Sequence, residues 1–215
     1  MSGEAEVKVV PDEVVLTVGV EAVNKDMEAA KRQADEIAQR VLGVARSLGV
    51  GEKQIQTDYL SIEPRYRDSY EARDFLGYFV RQSIAITLRE PDRFEDLLSG
   101  VLQAGATYIH GVDFRTTELR KYRDQARALA IKAAREKAEA LARELGQQVG
   151  APLHINEEQS GWYSWYGSWW GGRYGNVATQ NVVQNAGGQA WDGEGTIAPG
   201  QISVTARVAV EFELQ

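Results

Sequence analysis

The stretch from Glu118 to Gly146 is the longest helical pattern in the sequence, and it limits what the rest of the chain can pack against. Because alanine dominates, its helix propensity is high and its packing surface is narrow. We predict a long helix that ends at Gly146 and lies close against a sheet. Its apolar residues recur at the spacing of one helix face, which we expect to be buried: Ala126, Leu129, Ala133, Ala140, Leu141 and Leu145.

Charge is distributed unevenly along the chain. Eight Lys/Arg residues lie between Arg120 and Arg143, although the net charge of the protein is −7. A run of charged residues on a helix usually forms a face in contact with solvent. We interpret these residues as such a solvated face. The pI near 5.0 argues against a nucleic-acid partner, because binding phosphates requires a clustered basic surface.

Alternating apolar residues predict several strands. The first main run lies at 14–23, and the clearest run is the last, at 202–214. Pro11 separates the main run from a short one at 7–10, and it marks an edge position or a bulge. Further runs lie at 55–66, 79–89, 108–114 and 153–155.

Two more helices are predicted. Apolar residues from Met27 to Leu48 follow steps of three and four, with Asn24 or Asp26 as the cap and Gly49 as the end. This spacing also fits a coiled coil, but the neighbouring strands favour a helix packed on a sheet. A second, shorter helix begins at a capping box with Asp92 as the cap and Glu95 as its partner, and Gly105 closes it.

The order of these elements predicts an α+β fold in a single domain. Strand, helix, strand, strand occurs once in a half covering about 1–90 and again in a half covering about 106–215, and the short helix joins the halves. We expect an antiparallel sheet with the helices on one face. The two predicted hairpin tips are 67–74 and 160–200, and the second tip is greatly expanded.

The expanded tip, an insertion at 160–199, is rich in glycine and aromatic residues and has only three charged residues. All five tryptophans of the chain lie in it. A loop of this length inside a compact domain is functional or disordered. We predict a contact with another subunit or a partner, and the alternatives are a mobile tip, a membrane interface or a glycan. The candidate interaction residues are Trp162, Trp165, Tyr166, Trp169, Trp170, Tyr174 and Trp191.

The sequence predicts no catalytic residue, cofactor or metal site. It contains no cysteine, no HExxH, no phosphate-binding glycine loop and no GxSxG. Its two histidines, His110 and His154, stand apart in strand patterns, where a lone histidine is usually structural. No run approaches 18 apolar residues, so any membrane association is expected to be peripheral. The start at Met1 shows no signal-peptide pattern.

Several ordered motifs together resemble the SIMPL-domain family. The opening GEAEVKVVPDEVVLTVGVEA is similar to the family's G-x-G-x-V-x-x-x-PD, although Gly3-Glu4-Ala5 departs slightly from it. The resemblance continues through the TDYLSIEPRY strand, the GYFVRQ strand, the AGATYIHGVDF run and the KAEALA helix, and ends at PGQISVTARVAVEF. The resemblance covers nearly the whole chain.

The resemblance implies an exported, periplasmic or outer-membrane-associated protein, and the alternative is a cytoplasmic one. It also implies a homo-oligomeric, ring- or channel-like assembly, a link to oxidative stress, and no enzyme activity. From the residues alone, two other classes remain open. One is a hydrolase or small-molecule enzyme with a carboxylate site, and the other is a peptide- or glycan-binding module that uses the aromatic loop.

Overall fold

The computed structural model describes residues 1–68, 73–158 and 200–215, which belong to two compact units. Both units are α+β with antiparallel strands, which confirms the predicted fold class. No helix in these ranges is long and apolar enough for a membrane span. The elements are β1 (Ser2–Val9), β2 (Glu13–Asn24), α1 (Met27–Ser47), β3 (Ile55–Asp68), β4 (Arg73–Leu88), α2 (Phe94–Gln103), β5 (Tyr108–Arg115), α3 (Leu119–Glu144), β6 (Val149–Glu158) and β7 (Ile202–Leu214).

The first unit, here called the four-stranded unit, contains Pro11–Arg115. Its strands lie in the order β3-β4-β2-β5, and α1 and α2 pack on one face. The alternation predicted for β2 is confirmed, because every second residue from Val14 to Ala22 is buried. Ile84 and Ile86 of β4 bury their side chains on the same face, which completes the core with α1 and α2.

The predicted hairpin between β3 and β4 is present. The two strands pair from Ile55↔Ile86 to Asp68↔Arg73, with irregularities at Thr57/Tyr59 and Arg65/Tyr66. Residues 69–72 at its tip lie outside the described residues. The hairpin extends past the end of β2, because Asn24 pairs with Tyr78.

The capping predictions have different outcomes for the two helices of this unit. Asp26 caps α1, because its Oδ1 accepts a hydrogen bond from the Ala29 N–H at 2.7 Å. The prediction of a capping box at Asp92 is wrong. Asp92 lies inside a short 3-10 turn (Pro91–Arg93), and α2 begins after it without a side-chain cap. The fixed φ of Pro91 suits the first position of a helical turn, which places Asp92 within the turn instead of before it.

The second unit, here called the three-stranded unit, contains Met1–Val10 and the described residues from Thr116 onward. Its strands lie in the order β1-β7-β6. β1 and β7 pair without interruption from Ser2↔Ala209 to Val9↔Ile202. Helix α3 packs mainly on β1 and β7, and its Ala130 and Ala134 form the core with Val208.

The two units share one arrangement. In each, a strand, a helix and two further strands give a sheet in which the last strand is central: β2-α1-β3-β4 in one and β1-α3-β6-β7 in the other. The units differ from the halves expected from the sequence. β5, expected to begin the second half, pairs with β2 instead, and β1 supplies the missing strand beside β7.

The prediction for the buried face of α3 is wrong in detail. The buried residues are alanines four positions apart, and Leu129, Leu141 and Leu145 are 48%, 47% and 71% exposed. The reason is the close approach of β1: a Cβ built on Gly3 would stand 2.0 Å from the Ala130 carbonyl oxygen. Only small side chains fit between helix and strand at this distance. The buried set is Ala126, Ala130, Ala134, Ala138 and Ala142.

We expect Gly3→Ala to destabilise the protein by about 1–3 kcal/mol, since the added methyl group meets helix backbone, which cannot move without displacing α3. Arg135→Ala is the control, and its effect should stay within about 0.5 kcal/mol because the side chain is exposed on the ion-paired side of α3. Urea denaturation followed by circular dichroism measures both. Equal destabilisation by the two variants would contradict this packing.

The two aspartates provide a matched test of capping. Asp26→Ala should lower the free energy of unfolding by about 1 kcal/mol, because the Ala29 N–H loses its acceptor. Asp92→Ala should change it by less than about 0.5 kcal/mol, because Asp92 is not the N-cap residue of α2. A larger loss for Asp92→Ala than for Asp26→Ala in the same denaturation experiment would refute the assignment.

Candidate interaction surface

The predicted aromatic interaction residues cannot be placed on either unit. Trp162, Trp165, Tyr166, Trp169, Trp170, Tyr174 and Trp191 all lie outside the described residues. In the sequence they fall between β6 and β7.

A polar cluster lies on the four-stranded sheet, centred on Glu21. Its Oε2 accepts a hydrogen bond from Arg81 Nε at 2.5 Å, and its Oε1 accepts one from the Tyr108 hydroxyl at 3.3 Å. The Glu21 N–H donates to Thr107 Oγ1. The hydrogen bond from Arg81 to Glu21 raises the pKa of the Arg81 guanidinium. These contacts join β2, β4 and β5.

The two histidines occupy different sheets. His110 is exposed on β5 and stacks on Tyr108, with ring centroids 6.0 Å apart. A Cβ on Gly19 would stand 2.4 Å from His110 Nε2, so the absence of a side chain at this position makes room for the ring. His154 is exposed on β6. No group of three or more potential metal ligands occurs in residues 1–68, 73–158 and 200–215.

The outer side of α3 carries ion pairs. Lys121 pairs with Glu118 at 2.7 Å, and Arg135 pairs with Glu139 at 2.9 Å. Arg127 bridges to Asp124 and to Glu157 of β6, and the Glu157 hydrogen bond raises the pKa of Arg127. These contacts between exposed groups fit the predicted solvated face.

In the described residues β1 pairs with β7 alone, and one flank of α3 lies beside its other, open edge. Lys137 Nζ donates to the Ser2 carbonyl oxygen at 2.9 Å, which places this flank beside β1. Residues four apart share a side of a helix, so Leu129, Ala133 and Leu141 lie on the same flank as Lys137. We call these four residues the α3 flank. It combines a lysine with two half-exposed leucines.

The four edge strands differ in regularity. β3 carries Pro64 and two irregularities, and β6 carries Pro152 and two irregularities. The pairing of β5 with β2 is interrupted between Thr17 and Val18. Prolines and bulges hinder pairing with another chain. β1 contains neither and keeps one register throughout its eight residues.

Reasoning from the sequence missed this edge. β1 was expected to be part of the N-terminal half, and its partner, β7, comes from the other end of the chain. The available signal was the regular alternation of Glu4, Glu6 and Lys8 with Ala5 and Val7. That alternation predicts a strand with one charged and one apolar face, but not an open edge.

The fold and its repeated strand–helix–strand–strand arrangement define a class of α+β proteins built from two similar units. The family model described as "SIMPL: Protein of unknown function (DUF541)" matches residues 1–212. The chain therefore belongs to the SIMPL family, as its sequence motifs indicated.

Curated relatives include proteins named "Uncharacterized protein YggE". The protein from Escherichia coli (strain K12) is 32% identical over 163 residues, which cover 74% of this chain and 66% of that protein. The one from Edwardsiella ictaluri is 33% identical over 150 residues, covering 69% of this chain and 63% of that protein. The matched part thus spans just under two thirds of each relative.

We predict that protein purified without chelators carries no stoichiometric transition metal. His110 and His154 belong to different sheets, and the described residues bring no three ligands together. Inductively coupled plasma mass spectrometry provides the measurement. One zinc or iron per chain that survives dialysis would show that this prediction is wrong.

Proposed function

We propose that this protein is a non-enzymatic cell-envelope protein that acts as a self-assembled homo-oligomer. The observation that carries the proposal is the set of apolar side chains left exposed on the three-stranded unit. Leu129, Leu141 and Leu145 of α3 and Leu153 and Ile155 of β6 are all about half exposed or more. Covering these side chains with a second chain would remove apolar surface from water, which favours association.

The sheet edges support the same proposal. An edge strand presents unpaired N–H and C=O groups, and a second chain can pair with them. Within the described residues, each unit has two such edges. Self-association usually gives closed symmetry, because an open head-to-tail contact would produce fibres. We therefore propose a closed assembly, ring- or channel-like, as the family resemblance implies.

The aromatic segment belongs to the proposal as a subunit contact. It contains every tryptophan of the chain, with tyrosines between them. Tryptophan and tyrosine are enriched in the cores and hot spots of interfaces. An envelope or periplasmic location and a role in stress response also belong to the proposal, and both rest on the family resemblance. Fractionation of the native host, with antibody detection, tests the location.

The enzyme alternative has less support. A general base must lie within hydrogen-bond reach of a substrate proton, whereas the Glu21 carboxylate is held in contacts within its own sheet. Both oxygens of Glu21 already accept hydrogen bonds, from Arg81 and Tyr108. We therefore favour a structural role for this cluster.

We expect the intact protein to be oligomeric at tens of micromolar, because association covers the exposed apolar surfaces. Light scattering coupled to size exclusion gives the mass. Replacing residues 160–199 by a short turn should reduce the number of subunits in the assembly. Tryptophan emission of the intact protein should move to longer wavelength on dilution, since all five reporters lie in this segment.

The control for this experiment is Arg135→Ala, on the solvated side of α3, which should leave the mass unchanged. A monomeric intact protein would contradict the proposed function. An oligomer with an unchanged number of subunits after the deletion would remove the aromatic segment from the interface. Peptide or glycan binding that disappears with the deletion would then favour a binding module.

A further inference from the structure

We propose that β1 is the strand through which two copies of this chain pair, antiparallel and about a two-fold axis at Val7. The inference rests on the proposed self-assembly and names one of its interfaces. The pairing would join two three-stranded sheets into a continuous six-stranded sheet, with β1 next to β1 of the second copy.

The first step is the direction in which the backbone groups of β1 point. Met1 and Val210 exchange two backbone hydrogen bonds, at 2.5 and 2.7 Å. Such pairs alternate along an antiparallel ladder, so Gly3 and every second residue after it bond to β7. The N–H and C=O groups of Ser2, Glu4, Glu6 and Lys8 therefore point to the open edge. The bond from Lys137 to the Ser2 carbonyl agrees with this assignment.

The second step is the charge on the sheet face away from α3. Glu4 already pairs with Arg207 at 2.7 Å. Glu6 accepts a hydrogen bond from the Ser203 hydroxyl. Glu6 and Lys8 form no ion pair with any other residue in the described part of the chain. The opposite charges of Glu6 and Lys8 thus lie at the open edge, two residues apart on the same face of β1.

The third step is the register. Only registers that set outward groups against outward groups can form hydrogen bonds. An axis at Glu4, Glu6 or Lys8 places that residue opposite its own copy, and an axis at Ala5 places Glu4 opposite Glu6. Each of these creates like-charge pairs, which are destabilising. An axis at Val7 instead sets Glu6 opposite Lys8 twice and creates no like-charge pair.

The α3 flank adds apolar surface beside the same edge. Leu129 and Leu141 are half exposed there, and a strand paired with β1 lies next to them. A second copy brings its own α3 flank to the same side of the joint sheet. The edge and the flank therefore offer hydrogen bonds, charge pairs and apolar contact to one occupant.

Charge exchange tests the register. Glu6→Lys and Lys8→Glu should each weaken self-association through this interface by about tenfold or more, because two attractive pairs become repulsive. An equimolar mixture of the two variants should associate like the wild type, since both charge pairs then join a lysine of one variant to a glutamate of the other. The double variant Glu6→Lys/Lys8→Glu should also associate normally. Analytical ultracentrifugation measures all four samples.

A cross-link tests the axis directly. The chain has no cysteine, so Val7→Cys introduces the only thiol, and the two copies of residue 7 would stand at disulfide distance. Mild oxidation should give a covalent dimer. Ala5→Cys is the control and should give none, because Ala5 faces Val9 of the second copy in this register.

The outcomes separate the two proposals. A monomeric wild type overturns both. An oligomeric wild type in which neither single charge variant weakens association, or in which Val7→Cys forms no dimer, overturns the β1 pairing alone. Hydrogen exchange distinguishes other occupants. If the amide protons of residues 6 and 8 stay protected in a monomeric sample of the Lys8→Glu variant, another segment of the same chain covers this edge, which also overturns the inference.

Discussion

Close contact between β1 and α3 is the constraint on which the three-stranded unit depends. At Gly3 the strand lies so close to α3 that even a methyl group would contact the helix backbone. The buried face of α3 accordingly has alanine at every fourth position. Because large side chains do not fit between α3 and β1, the leucines of α3 lie on the sides of the helix. The same constraint that holds the helix on the sheet therefore leaves apolar groups available to a second molecule.

Local patterns in the sequence were sufficient for most elements. The alternation in β2 and β7, the three-four spacing in α1 and the glycines after α1 and α3 all predicted what the structure contains. Prediction failed where a contact with a distant part of the sequence determines which residues are buried. Alanine and leucine in α3 have similar helical spacing, and only the approach of Gly3 determines which of them is buried. Asp92 likewise has the pattern of a cap, but Pro91 starts the turn one residue earlier.

The candidate surface was less predictable than the fold. The tryptophan content predicted an interaction segment at residues 160–199. The regular edge belongs to β1, whose eight residues have an ordinary composition. An edge is a property of strand order, and strand order depends on pairing between the two ends of the chain. Glu6 and Lys8 become informative only when their backbone groups are known to face outward. A single sequence contains the charges but not the pairing.

The pairing of Ser2 with Ala209 has a consequence for how the protein is made. The four-stranded unit draws its described residues from one continuous stretch, Pro11–Arg115, so it is able to fold while later residues are still being translated. β1 is synthesised before this stretch but has no partner until β7 leaves the ribosome. During that interval the backbone N–H and C=O groups of residues 2–9 have no strand partner, and chaperones or neighbouring nascent chains are able to reach them.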